Sequence, residues 1–356
     1  MKDIKFGDRV IGDDMPVFVI AEAGVNHNGS LKLAKRLIDA AHSAGADAVK
    51  FQSFKAERII TRSAPSAQYH LRATKGKETW YKLLKRLEIS DSRHYELLDY
   101  CKKKGIYFLS TPYDEESAEF LRRMPVLAFK IASTDLNNLP LLRLVASYNK
   151  PIFLATGMSS IDEIRESVEC VRGAGNGQLV LFQCTANYPP AIADANLNVI
   201  SALRERFNTL VGYSDHLASR QAAIAAVAKG ICAYEVHFTE DRGLPGPDHR
   251  ASLEYSGLRR IIRDIRMTQL LLGSARKRVT PSESQTRIVA RKSLVASRNI
   301  KEGEALGRHN LGIKRPGTGL PPKYFYFLLG KRINRAVKKD ELILLKDVKG
   351  NGRKEA

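Results

Sequence analysis

Residues 17–52 read VFVIAEAGVNHNGSLKLAKRLIDAAHSAGADAVKFQ. An apolar, β-branched run (Val17–Glu22) is followed by a polar turn and a helix-start serine, Ser30. An amphipathic stretch, Leu31–Ala44, comes next, then a helix-stopping glycine, Gly45, and a second apolar run from Asp47. That order is a strand, a helix and a second strand, with each strand apolar enough to be buried on both faces. The same rhythm recurs along the chain. Apolar runs begin near Ile106, Leu127, Pro151, Leu179, Thr209 and Ile231, which with the first two makes eight. Helical patterns fall between them at Ser92–Lys104, Ser117–Arg123, Leu139–Tyr148, Ile161–Gly173 and Ala218–Lys229. Helix-start residues (Ser90, Asp114, Ser160) and stops (Gly105, Gly230) punctuate them. Eight βα units predict a (β/α)8 TIM barrel. The rival is an open doubly wound sheet, but its first turn carries a GxGxxG phosphate loop, and the turn at 22–29 has none.

Two segments break the rhythm. Residues 55–90 are polar and too long for a simple connection, with Gln68, Tyr69, His70 and Trp80, and are expected to lid the active-site face. Residues 274–290 read as a polar, basic linker. Short strand-like runs, Lys292–Ala296 and Leu342–Leu345, then predict a small β-rich domain over 291–350, after a barrel over 1–273.

At 356 residues, 44% hydrophobic and 27% charged, the chain has the composition of a globular protein and excludes a disordered, collagenous or disulfide-scaffold class. No apolar run reaches 18 residues, and the N-terminus lacks an apolar signal core. Cys101, Cys170, Cys184 and Cys232 form no CxxC pair, so the expected setting is a reducing cytoplasm. The net charge is +20, and residues 286–356, with 18 basic and 6 acidic side chains, hold +12 of it. Such a balance suits anionic partners, or solubility alone.

Barrel enzymes place their chemistry where strands end. Lys50 and Gln52, two apart, share a face of the second strand; Lys130 lies in the fourth, followed by Ser133 and Asp135; Ser214 and His216 end the seventh; Glu235 and His237 share a face of the eighth; Glu22 ends the first. A lysine in an apolar strand is costly unless its charge meets an anion. Two of them, with Ser and Thr nearby, point to a phosphate or carboxylate ligand, or else to an internal ion pair. His216 and His237, on neighbouring strands at matched depth, suit a divalent ion such as Mn²⁺, with Glu22 nearby as a carboxylate behind the ligands or as a proton shuttle. A lysine Schiff-base aldolase is the competing enzyme class, and the paired histidines argue against it.

The runs IAEAGVNHNGS (20–30), AVKFQSF (48–54), FLSTPYDEES (108–117), FKIASTDLNNLPLL (129–142), KPIFLATGM (150–158), GYSDH (212–216), YEVHFT (234–239) and GPDHRASLE (246–254) together resemble the bacterial sialic acid synthase family. The tail, with ARKSLVAS (290–297) and IKRPGTGLPP (313–322), resembles its antifreeze-like (SAF) domain. The resemblance covers nearly the whole chain. It implies a transferase that condenses phosphoenolpyruvate with an N-acetylmannosamine-type sugar to give a nonulosonic (sialic) acid and phosphate. N-acetylneuraminate is the expected product, and legionaminic acid, from a diacetamido 6-deoxy sugar, is the alternative. Pseudaminic acid is disfavoured, because the 65–90 segment is more similar to the other two branches.

The same resemblance implies roles. Lys50, Gln52, Lys130, Ser133 and Ser214 would hold phosphoenolpyruvate. His216 and His237 would bind the metal, Mn²⁺ with Mg²⁺ or Co²⁺ as substitutes, which orients the sugar aldehyde and supplies the attacking water. Glu22 would handle a proton, and Asp135, Tyr188 and Asp248 match sugar-contacting positions. Arg315 matches an arginine that in the family reaches across a domain-swapped homodimer, on a turn that Pro316 and Gly317 are expected to shape through their backbone angles. Asp135 stands where some members have Glu, Ala186 where some have Asn, and Ala155 where several have Ser. A pure ice-binding reading of the tail leaves the buried lysines and paired histidines without a purpose. Nucleic-acid binding has only the net charge in its favour, and no membrane association is expected.

Overall fold

The computed structural model describes residues 3–65 and 78–350. Two compact units divide the chain, Met1–Gly273 and Ser274–Ala356.

The first unit opens with an antiparallel hairpin, β1 (Ile4–Phe6) and β2 (Arg9–Ile11). Eight parallel strands follow: β3 (Phe18–Gly24), β4 (Ala48–Ser53), β5 (Tyr107–Pro112), β6 (Phe129–Ile131), β7 (Ile152–Ala155), β8 (Leu179–Cys184), β9 (Leu210–Asp215) and β10 (Ala233–His237). Their order, β5-β4-β3-β10-β9-β8-β7-β6, is that of a nearly closed barrel with its seam between β5 and β6. The eight correspond one for one to the eight apolar runs.

Helices alternate with the strands as the pattern requires. Leu31–Ala44 begins where the Ser30 side chain accepts from the Leu33 N–H, and ends at Gly45 with φ +89°, a left-handed angle that favours glycine. Asp91–Lys104 is capped by Ser90 and Gly105 in the same way. Ser160 and Glu163 form a reciprocal capping box on Ile161–Gly173.

Two apolar layers flank the strands. The outer one packs residues such as Val49, Phe51, Val211 and Val236 under the helices. The inner one fills the N-terminal half of the barrel with Phe18, Ile20, Phe153, Phe182 and Leu210. The hairpin plugs this end: Phe6 is fully buried, with its ring 4.8 Å from Phe18 and 6.0 Å from Phe153. Inward positions change character along each strand, Phe18–Ile20–Glu22 on β3, Ala48–Lys50–Gln52 on β4 and Leu210–Gly212–Ser214 on β9. The N-terminal half is a dry core and the C-terminal half a polar mouth.

The 55–90 connection is not one loop. It carries helices Ala56–Ile59 and Trp80–Leu87, so Trp80 is helical, while Gln68, Tyr69 and His70 lie outside the described residues. In the second unit the expected linker 274–290 contains a helix, Glu283–Ala290. The small fold pairs β11 (Ser293–Ala296) with β12 (Leu311–Lys314) around Leu294, Leu306, Leu328 and Ile343. Its other pairings are single bridges, such as Val295 with Leu342 and Ile300 with Val337. The run expected as a strand at Leu342–Leu345 contributes only that bridge before a turn of 3₁₀ helix, Leu345–Asp347.

Candidate active site

Four charged side chains interlock at the polar mouth. The Lys50 ammonium lies 2.8 Å from Glu22 and 3.7 Å from Glu235, and Lys130 lies 3.7 Å from the other oxygen of Glu235. None of the four is more than 5% exposed. Lys50 also donates to Thr111 Oγ1 (3.1 Å), Gln52 Nε2 to Glu22 Oε1 (3.3 Å) and Ser214 Oγ to Glu235 Oε1 (3.0 Å). Lys130 sits over the Phe182 ring, 5.4 Å from its centre. Burial pushes Glu22 up against the opposing pull of Lys50. Burial also works on Glu235, but Lys130 and Lys50 outweigh it and hold that carboxyl below its ordinary range. Burial lowers Lys130, whereas Glu22 and Glu235 overcome the same burial at Lys50 and raise it. The two carboxyls are thereby driven apart, one toward holding a proton and one firmly ionised, which is the arrangement of an acid–base site.

Beside this group stand the histidines. The imidazoles of His216 and His237 have centroids 5.6 Å apart, and the Tyr188 ring stacks on His216 at 4.2 Å and meets His237 edge-on at 5.4 Å. His216 Nδ1 donates to the Thr185 carbonyl (2.7 Å), which leaves Nε2 with its lone pair, 3.4 Å from the Ser214 hydroxyl. His237 Nδ1 is buried without a hydrogen-bond partner. Burial lowers both rings, His216 to about 4 and His237 to about 3, so both are neutral at pH 7. Neutral, oriented imidazoles with an orphaned nitrogen fit a divalent ion. Among the described residues no group of three or more His, Cys, Asp or Glu is arranged to hold a metal ion.

Asp248 shares the space around Gly24 with Glu22 and Gln52. Gly24 sits at φ +50°, and the point where a Cβ would stand is 3.2 Å from Glu22 Oε1, 3.4 Å from Gln52 Nε2 and 3.7 Å from Asp248 Oδ2. Asp248 is half-buried, and burial raises its carboxyl to about 6.

Ser133 follows β6, accepts from the Gly157 N–H (3.0 Å) and touches Cys184 Sγ (3.2 Å), so it joins the ends of β6, β7 and β8. Asp135, in the same 3₁₀ turn, is turned toward Thr134 (2.9 Å) and Asn138 (3.3 Å).

Arg315 belongs to the second unit, where it is exposed. Its turn is anchored by Ser293 Oγ, which donates to the Pro316 carbonyl (2.6 Å), and by the Gly317 N–H, which donates to the Ile288 carbonyl (2.8 Å). Gly317 is not among the positive-φ glycines. Glycine is required there because a Cβ would come within 2.7 Å of Arg291 Cβ and 3.1 Å of the Arg287 carbonyl.

Glu235 was legible as a strand residue beside His237, but not as the carboxylate that bridges two lysines. Thr111 and Cys184 likewise acquire partners only in three dimensions.

The sequence profile of the NeuB family matches residues 37–277. The chain belongs to the NeuB family. An SAF domain profile matches residues 291–349. The chain is 43% identical to the N,N′-diacetyllegionaminic acid synthase of Campylobacter jejuni, over 91% of this chain and 98% of that one. It is 36% identical to the human N-acetylneuraminate-9-phosphate synthase, over 97% and 96%. Among solved structures, the N-acetylneuraminic acid synthetase of Leptospira borgpetersenii in complex with citrate is similar with a TM-score of 0.72 and 32% identity, over 80% of this chain and 95% of that one. The family match thus spans most of the barrel that carries the interlocked charges.

Proposed function

We propose that this chain joins C3 of phosphoenolpyruvate to the aldehyde carbon of an N-acyl amino sugar, while water adds at C2 and phosphate leaves. As a NeuB-family protein it is a phosphoenolpyruvate-dependent nonulosonic acid synthase, a transferase. The observation that carries the reading is the buried Lys50–Glu22–Glu235–Lys130 group beside two neutral imidazoles.

Lys50 and Lys130 bind the carboxylate and phosphate of phosphoenolpyruvate, with Gln52, Ser133 and Ser214 donating hydrogen bonds. Glu22 holds or releases a proton at the reacting carbons, the task its raised carboxyl suits. Tyr188, Asp248 and Asp135 orient the sugar at the mouth. His216 and His237 would hold a divalent ion, Mn²⁺ by preference and Mg²⁺ or Co²⁺ in its place. When bound, the ion supplies Lewis-acid polarisation of the aldehyde carbonyl. Arg315 reaches the sugar from the partner chain of a homodimer. Free Cys101, Cys170, Cys184 and Cys232 suit a reducing cytoplasm, and no helix among the described residues is long and apolar enough to cross a membrane.

Identity to legionaminic acid synthases, 43% and 39%, exceeds that to the human N-acetylneuraminate-9-phosphate synthase (36%) and a pseudaminic acid synthase (34%). That ranking favours the diacetamido 6-deoxy sugar over N-acetylmannosamine, the reverse of the expectation from sequence motifs alone. Phosphate release from phosphoenolpyruvate is the test, with N-acetylmannosamine, its 6-phosphate and 2,4-diacetamido-2,4,6-trideoxymannose as acceptors. The last should give the highest kcat/KM. Release with none of them defeats the condensation itself.

A further inference from the structure

Asp215 ends β9, one residue before His216, and its side chain points the other way, into the layer between barrel and helices. It is 1% exposed, yet its carboxylate is well provided for. Oδ1 accepts from the backbone N–H groups of Leu217 (2.9 Å) and Ala218 (3.1 Å) and from the Tyr213 hydroxyl (3.4 Å). Oδ2 accepts from the Ser219 N–H (3.1 Å) and the Tyr234 hydroxyl (2.7 Å).

Two consequences follow for His216 and His237. The three backbone bonds wrap the chain leaving His216 around one buried carboxylate, and they hold Ala218 at φ +52°, a left-handed angle that a residue with a Cβ seldom adopts. The tyrosine bonds act across strands. Tyr213 lies on β9 with Asp215, whereas Tyr234 lies on β10, three residues before His237, and the two tyrosines are partners in the β9–β10 ladder. The Tyr234–Asp215 bond therefore ties the outer faces of the two strands whose ends present the imidazoles.

We propose that Asp215, Tyr213 and Tyr234 form a clamp on the outside of the barrel wall that sets the spacing and orientation of His216 and His237 inside it. The inference rests on the reading of those histidines as the divalent-metal pair. The three are positioning residues, since none of them faces the mouth. Among the described residues no third His, Cys, Asp or Glu joins the two imidazoles in a metal-holding group, so their affinity for an ion depends on how stiffly the rings are held.

The test measures Mn²⁺ alone, by the electron paramagnetic resonance of the free ion, on wild type, Tyr234→Phe and Asp215→Asn. Phosphoenolpyruvate binding is measured by calorimetry in chelator, and each variant is melted to establish that it is folded. Tyr234→Phe keeps the ring and removes only the hydroxyl, so it serves if Asp215→Asn does not fold. The Mn²⁺ dissociation constant should rise several-fold in Tyr234→Phe and about 10- to 100-fold in Asp215→Asn, with phosphoenolpyruvate affinity held. Wild-type Mn²⁺ affinity in the folded variants, or an equal loss of both ligands, overturns the clamp while leaving the metal pair standing. A wild type that binds no Mn²⁺ defeats the metal pair, and the clamp with it.

Discussion

Lys50 and Glu22 are register partners on adjacent strands, and their charged ends meet at 2.8 Å with only 4% and 2% of the side chains exposed. A pair so placed has given up most of its hydration, and an arriving anion must compete with a carboxylate already in contact with its cation. The competition is uneven because Lys50 has a second carboxylate, Glu235, at 3.7 Å and Glu235 a second lysine. If an anion takes Lys50, Glu235 keeps Lys130, and Glu22, whose carboxyl is raised by burial, keeps the Gln52 hydrogen bond.

Replacing Lys50 or Lys130 with Met should cost about 2–4 kcal/mol in kcat/KM for phosphoenolpyruvate, roughly 30- to 1,000-fold. Steady-state kinetics with either variant at wild-type values would refute the anion site. Lys50→Met should also lower the melting temperature, because Glu22 and Glu235 are left buried beside a missing cation. Adding Glu22→Gln to it should return part of that loss, though not the activity.

Stripping the protein with EDTA should abolish turnover, and Mn²⁺, Mg²⁺ or Co²⁺ should restore it. His237→Ala should raise the Mn²⁺ dissociation constant by at least tenfold, as one of two imidazoles is gone. Full turnover in excess chelator contradicts this role.

Asp248 ties stability to pH. Its carboxyl is raised from 3.8 to about 6, so between those values the unfolded chain ionises before the folded one. Its contribution is therefore most favourable below about pH 4, falls as pH rises through about 6, and stays low above it. Asp248→Asn removes that dependence. It should melt with wild type at pH 4 and above it at pH 8, by on the order of 1 kcal/mol because the side chain is only half-buried. Its KM for the sugar should rise. Parallel melting curves at both pH values would count against the raised carboxyl.

Arg315→Ala and Lys130→Met chains should each be nearly inactive, and mixing them should restore part of the activity. One site of the mixed dimer then combines an intact barrel with an arginine from its neighbour. Failure to recover, with subunit exchange verified by mass spectrometry, would place the arginine's action within its own chain.

The eight barrel strands were legible because strands buried on both faces are nearly continuous apolar runs, and the helices because serine or aspartate caps and glycine stops mark their ends. The N-terminal hairpin was not. Ile4–Phe6 and Arg9–Ile11 are three residues each, too short for any periodicity, and their fit becomes visible only once Phe18 and Phe153 surround Phe6. At the site, Lys50, Lys130, His216 and His237 stood out as polar residues in apolar strands. The partners that give them meaning are far away in sequence. Glu235 meets its two lysines only once β10 lies between β3 and β9, and Asp248 comes near Glu22 and Gln52 only where the folded chain brings it to Gly24. Gly317 shows the reverse error, a residue rightly noticed for the wrong reason: crowding at Arg291, not its backbone angle, requires glycine.

The hairpin that seats Phe6 among Phe18 and Phe153 turns a tube into a cup. On the reading proposed above, a ligand held by Lys50 and Lys130 would come and go by a single opening, first in and last out, so an acceptor bound after it would keep the donor from exchanging with solvent.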